Sequence, residues 1–288
     1  MYLYYRTVYL SRLADTLQVI IEFYDGGKDM TQSEMHDKVC IVTGSSSGLG
    51  KATALSLAKL GATVILACRD KQRGQAALEE IRAMSGNESL DLMLVDLAAQ
   101  DSVRRMADEF LKRYDRLDVL INNAGVFKNE RALTADDLET MFATNHLGAF
   151  MLTNLLLDRL KANAPSRILT ISAPSTTPLN FDDLQGAQKF NAFEAFGASK
   201  MCNLLFTYEL ARRLAGTQAS ANAIHPGLVK SQIMREATAP VRWLTYLMSS
   251  APEKAARVPV YYASSSEVEG VSGKFFKGKR TIESNAYS

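Results

Sequence analysis

The chain has 288 residues, 47% of them hydrophobic and 22% charged, with Lys+Arg 33 against Asp+Glu 31 and a formal net charge of +2. That apolar share is enough to bury a sizeable core and excludes a disordered chain, while nothing in the near balance of charge calls for nucleic acid or an acidic partner. Cys40, Cys68 and Cys202 are odd in number, widely spaced and each set in an apolar run, so they read as buried free thiols of a reducing, cytoplasmic compartment with no metal set among them.

The first 37 residues do not resemble the rest. Tyr2, Leu3, Tyr5, Val8, Tyr9, Leu10, Leu13 and Leu17 form an aromatic-rich helical pattern, and a second apolar patch at 19–24 ends on Asp25-Gly26-Gly27. Arg6, Arg12, Asp15 and Glu22 interrupt it before eighteen apolar residues accumulate, and no small-residue cleavage site follows, so it reads neither as a spanning helix nor as a secretory signal. Peripheral membrane contact through residues 1–24, a dimer arm, an appendage packed on the domain, and translated sequence ahead of a start at Met30 or Met35 all fit it.

From Lys38 onward apolar strands alternate with helical patterns, the signature of βαβ units and a parallel sheet. Seven strands are expected, at 39–43, 63–67, 91–95, 119–121, 167–172, 220–224 and 274–276. Helices are expected near 50–60, 71–84, 101–114, 136–160, 197–215 and 252–264. The connections are short and there is no internal repeat, so residues 38–288 read as one doubly wound α/β domain of the Rossmann type, with helices on both faces. The segment 228–250, which holds Pro240 and Trp243, reads as a substrate-covering lid.

The chemistry gathers at the strand ends. In KVCIVTGSSSGLG, residues 38–50, a strand ends at Thr43 and Gly44, Gly48 and Gly50 precede a helix, whose free N–H groups and positive dipole end suit a pyrophosphate. After the second strand, Cys68 stands where a carboxylate would accept ribose hydroxyls and Arg69 follows, which favours a 2′-phosphate and therefore NADP(H) over NAD. Asp96 and Leu97 follow the third strand as an adenine contact, and Asn122-Asn123-Ala124-Gly125 follows the fourth.

These motifs together resemble the short-chain dehydrogenase/reductase family, in particular its retinol-dehydrogenase-like members, over about residues 37–288. The matching pieces are TGSSSGLG at 43–50, ACRD at 67–70, DL at 96–97, NNAG at 122–125, TNHLGAF at 144–150, RILTIS at 167–172 and HPGLVKS at 225–231. The resemblance implies a seven-stranded parallel sheet and hydride exchange between NAD(P)H and a carbonyl or alcohol. It implies cofactor contacts from Thr43, Gly44, Ser46, Ser47, Gly48, Leu49 and Gly50, and from Asn122, Ala124 and Gly125. Pro226, Gly227, Val229 and Ser231 fall on the nicotinamide side, and Lys200 on the nicotinamide ribose. It also implies a homodimer or tetramer built on the two helices that carry Asn145 and Lys200, with a small, hydrophobic substrate.

The family's tetrad is Asn, Ser, Tyr and Lys, and the match breaks there. Asn145 fits the Asn, which bends its helix and holds a relay water, and Lys200 fits the Lys; Phe196 replaces the Tyr and Ala173 the Ser. Loss of a proton donor typically forfeits ~10²–10⁴ in rate and loss of an oxyanion donor ~10²–10³, and the two do not multiply. Ser172 should point to the other face of its strand, Ser175, Thr176 and Thr177 read as loop residues, and Tyr208 lies about 120° round its helix from Phe196. His146 and His225 read as packing or loop residues. Three functions stay open: a slowed NADP-dependent oxidoreductase on a carbonyl, alcohol or iminium, an NADP(H)-binding pseudoenzyme or sensor, and a non-redox enzyme on the same scaffold.

Overall fold

The computed structural model of the chain describes residues 35–283 apart from 176, 231, 232, 234 and 238. The expectations for residues 1–34, for Thr176 and for Ser231 therefore lie outside the described residues. The strands are β1 (Val39–Thr43), β2 (Thr63–Cys68), β3 (Leu90–Leu94), β4 (Val119–Asn122), β5 (Ser166–Ile171), β6 (Ala219–His225), β7 (Phe275–Lys277) and β8 (Arg280–Thr281). They lie in one sheet in the order β3-β2-β1-β4-β5-β6-β7-β8. The pairs from β3 to β7 are parallel, as read, and β8 adds an eighth, two-residue strand that runs antiparallel to β7. Only the hairpin around Gly278, at φ 61°, creates that last strand. Two residues carry no periodicity that a sequence reading could detect.

Period-two alternation sorts the strands into two cores. Cys40, Val42, Val64 and Leu66 face α1 (Gly48–Lys59), α2 (Lys71–Ser85) and α7 (Pro252–Ser264). Val39, Ile41, Ile65 and Ala67 face α3 (Gln100–Arg113), α4 (residues 140–162) and α5 (Ala192–Arg213). Both faces are buried, which is why the strands read as continuous apolar runs. Strand order reverses between β1 and β4, so the carboxyl ends of these two strands flank the crevice where ligands of such sheets bind.

Two helix starts differ from expectation, each because of a cap. The stretch read as one helix at 136–160 starts at Thr140, where the Glu139 carboxylate accepts from Met141 and Phe142 N–H. This α4 comprises Thr140–Phe142, a π-helical turn at Ala143–Leu147, and Gly148–Ala162. The wide turn is closed by Gly148 N–H donating to Ala143 O, five residues back. Helix α5 begins at Ala192, five residues earlier than read, because Asn191 Oδ1 accepts from Phe193 and Glu194 N–H. The segment 228–250 contains a helix of its own, α6 (Ala239–Leu247).

Candidate active site

The crest between β1 and β4 is built around close backbone approach. Gly44 has φ 66° and Gly48 φ 56°, both in the left-handed region that favours glycine. A Cβ on Gly50 would lie 2.5 Å from both Gly44 O and Asn123 Nδ2, so the first turn of α1 is pressed against the loop that precedes it. Asn123 holds this loop across the switch point: Nδ2 donates to Thr43 O at 2.7 Å. Its N–H and that of Ala124 donate to Thr43 Oγ1 at 2.9 and 3.0 Å. The α1 N-terminus has no side-chain cap and no acid in its first turn, whereas α2, α4 and α5 are capped by Asp70, Glu139 and Asn191. Its first-turn N–H groups are left for an anion, so these residues fit a dinucleotide pyrophosphate.

The β2 end carries a buried thiol, a capping acid and two guanidinium groups. Cys68 is buried, its Sγ 3.5 Å from Ser45 Oγ, and burial pushes its thiol up; it is turned into the core beneath the loop. The Asp70 carboxylate is committed to Arg73 N–H at 2.9 Å as the α2 cap. Arg69 is exposed, and a second guanidinium, Arg73, donates to Ser47 Oγ at 3.4 Å. The sequence reading missed Arg73, although its place in the first turn of α2, three residues after a capping Asp, was a usable signal. Further along the crest, Asp96 Oδ1 accepts from Ala98 N–H, and Leu97 is packed so closely on α4 that a Cβ on Gly148 would meet Leu97 O.

The two asparagines after β4 point in different directions. The side chain of Asn122 is buried and turned toward α4, where Nδ2 donates to Thr153 Oγ1 at 2.9 Å; its neighbour Asn123 reaches the loop instead. Asn122 is the last residue of β4 and still obeys the pleat, which directs it into the core.

The tetrad positions converge. Asn145, inside the π turn, accepts from Val126 N–H through Oδ1 at 2.7 Å, and its Nδ2 donates to Val126 O and Ser199 Oγ, each at 3.0 Å. Its main-chain carbonyl accepts from Asn203 Nδ2 at 2.9 Å, and Asn203 Oδ1 lies 3.1 Å from His146 Nδ1. Sequence reading did not single out Asn203. Lys200 is 4% exposed, with Nζ donating to Ile171 O at 3.3 Å and lying 5.6 Å from the centre of the Phe196 ring. Burial lowers its pKa to about 8. A Cβ on Gly125 would stand in ordinary contact, 3.5 Å, with Lys200 Nζ, Asn145 Oδ1 and Ile233 Cδ1, so Gly125 marks the floor on which Lys200 and Asn145 meet.

Two of the hydroxyls near this point already donate to backbone carbonyls. Ser172 Oγ donates to Lys200 O at 2.8 Å, on the face away from the cleft, and Ser199 Oγ donates to Phe196 O at 2.7 Å. Ser175 Oγ accepts from Thr177 N–H at 3.2 Å and packs against Gly197. The Phe196 ring packs edge-on against Phe127, within an apolar cluster that includes Met141 and Ala237. Burial lowers the pKa of His146, and burial with help from the Lys277 charge takes His225 to about 4, so both rings are neutral at pH 7. Pro226 and Gly227 follow β6, with Gly227 at φ 81°, and Val229 bridges to Ser250 across the base of the segment 228–250.

A doubly wound parallel sheet with a glycine-built anion cradle at its switch point, and a buried lysine at the neighbouring strand end, defines a dinucleotide-binding oxidoreductase scaffold. The chain belongs to the short chain dehydrogenase family, whose model matches residues 38–242. It is 44% identical over 263 residues to retinol dehydrogenase 14 of Homo sapiens, covering 84% of this chain and 78% of that protein. With retinol dehydrogenase 13 of Homo sapiens it shares 38% over 283 residues, covering 93% and 85% of the two chains. Among solved structures, a protein from Mycobacterium Paratuberculosis superposes with a TM-score of 0.66 at 37% identity, over 83% of this chain and 80% of that one. A short chain dehydrogenase of Shigella flexneri complexed with NADP shares the fold at TM-score 0.70 and 21% identity, over 87% and 100% of the two chains.

Proposed function

We propose that this chain binds NADP(H) and exchanges hydride with a small hydrophobic alcohol, carbonyl or iminium, and that it turns over ordinary carbonyls slowly. The observation that carries the second half is Lys200 Nζ at 5.6 Å from a phenyl ring, at the position where its relatives' pattern would have a phenol. The cofactor, when bound, supplies the hydride. This chain's own residues do the rest: the α1 N-terminus and its glycines receive the diphosphate, and Arg69 and Arg73 the 2′-phosphate. Lys200 meets the nicotinamide ribose hydroxyls, and Asn145 holds the Val126 backbone beside it.

A carbonyl oxygen that gains an electron pair here lacks the two hydroxyls of the family's pattern. Ser172 and Ser199 are committed to backbone carbonyls, and Ala173 and Phe196 have no hydroxyl to give. The missing proton donor alone costs ~10²–10⁴ in rate. An iminium is spared this penalty, because hydride addition yields a neutral amine without a proton. The aromatic cluster of Phe127, Phe193 and Phe196 favours an apolar substrate, and the names of the retinol dehydrogenase relatives point the same way.

An intact nucleotide cradle beside a site lacking both hydroxyls also favours a second reading, an NADP(H)-binding pseudoenzyme or sensor. Pairing through α4 and α5 is favoured by a half-exposed aromatic ladder in which Phe142, His146, Phe150 and Phe206 follow one another at 5.1–6.3 Å. The three cysteines, buried and free, suit the cytoplasm. The test is NADPH binding followed by turnover on a panel of carbonyls and iminium ions, before and after Ala173→Ser with Phe196→Tyr. Restored reduction is expected. Binding without restored turnover on any substrate moves the assignment to the pseudoenzyme.

A further inference from the structure

The segment 228–250 has two unlike sides. Its inner side closes the cleft: Ile233 Cδ1 lies 3.5 Å from where a Cβ on Gly125 would stand, and Ala237 is buried against Phe127 and Met141. Its outer side is apolar and bare. Trp243, Tyr246 and Leu247, spaced i, i+3, i+4 on α6, are 66%, 58% and 59% exposed, beside Met248 at 61% and Leu228 at 47%. Leu228 is tied to the end of the helix by Ser250 N–H donating to its carbonyl at 2.8 Å. Among the described residues these five make up nearly half of all exposed large hydrophobic side chains, gathered in one short segment.

The segment that carries this patch is net basic. The segment carries three basic residues and a single acid, Glu236, which is paired with Lys128 at 2.8 Å and lies 3.9 Å from Arg235. Lys230 is exposed, with its ammonium 4.8 Å from the centre of the Tyr246 ring, beside the apolar stripe. Tryptophan and tyrosine on one helix face with a cation alongside is the composition of an element that lies in a bilayer interface and meets anionic headgroups. A second copy of the chain is a poorer occupant, since a two-fold contact through this face would bring Lys230 toward its own copy.

We propose that the outer face of α6, formed by Trp243, Tyr246, Leu247, Met248 and Leu228 with Lys230 at its border, docks the lid on an anionic lipid surface. This places the mouth of the cleft against the bilayer, so that an apolar ligand can pass between lipid and site without crossing water. The docking does not depend on which reaction the site performs.

Trp243 is the chain's only tryptophan, so its emission reports on this face alone. The full chain is mixed with vesicles of phosphatidylcholine and of phosphatidylcholine with phosphatidylserine. On the serine-containing vesicles, emission is expected to shift to the blue and to be quenched by brominated acyl chains, and the effect should fade with salt. Leu247→Ser with Met248→Ser should lower the partition coefficient at least about tenfold, and Lys230→Glu should lower it on anionic vesicles only. These residues are exposed, so the variants keep the fold, and NADPH binding by each checks that. Three results overturn the proposal: no binding to either vesicle, binding by sedimentation without a change in Trp243 emission, or a blue shift that follows protein concentration without lipid. The second would place any membrane contact elsewhere on the chain, and the third would make the face a contact between copies.

Discussion

Replacing Lys200 by methionine should stabilise the fold while weakening the site. Burial takes this amine from 10.5 to about 8, a gap of about 3 kcal/mol at 1.36 kcal/mol per pKa unit. The side chain is almost fully buried and its one hydrogen bond, to Ile171 O, is long at 3.3 Å, so little of that cost is returned. Methionine keeps much of the stem volume and loses a bond worth about 1 kcal/mol, leaving a net gain of about 2 kcal/mol at pH 7. The sign follows from proton counts. Below pH 8 both folded and unfolded chains hold the proton and the whole penalty stands. Between pH 8 and 10.5 the unfolded chain still holds it and the folded chain does not, so the parent gains stability as pH rises. The advantage of Lys200→Met should therefore shrink through that window. Urea unfolding of both proteins at pH 7 and pH 9.5 measures it, and a fluorescence titration should show NADPH affinity lowered ~10–100-fold through lost charged hydrogen bonds. A variant less stable than its parent at pH 7, or an offset that is the same at both pH values, would refute the reasoning.

Two further substitutions test the cradle. Gly50→Ala puts a carbon 2.5 Å from Gly44 O and Asn123 Nδ2, so the loop must retreat; a loss of about 1–3 kcal/mol in thermal unfolding and at least a tenfold weaker NADPH titration are expected. Arg69→Ala with Arg73→Ala should weaken NADPH by roughly tenfold or more and leave NADH almost unchanged, read by calorimetry with both nucleotides. Equal losses for the two nucleotides would remove the 2′-phosphate from the account.

Much of the fold is legible along the chain because its signals are local. Strands buried on both faces read as apolar runs at 39–43 and 63–67, and the helices between them read by their own periods. The glycine positions before α1 are equally local, since a tight turn and a close approach leave a mark in residue type. The boundaries that shifted depend on side chains reaching backbone: Glu139 and Asn191 each cap a helix start that periodicity alone places elsewhere. The strand β8 is too short to carry a pattern of its own.

The order of parts in the chain thus determined the architecture, the phosphate-binding turn and the two missing hydroxyls, because each rests on residue identity at a known spacing. What only the folded molecule decided is which of two adjacent asparagines faces the cleft. Asn123 reaches Thr43, eighty residues away in sequence, because β1 and β4 become neighbours only at the crossover, while Asn122 follows the pleat into the core. Arg73 beside Ser47, Asn203 on the Asn145 carbonyl and the bare outer face of α6 are of the same kind. Each is a distance or an exposure between segments, and tertiary packing sets both.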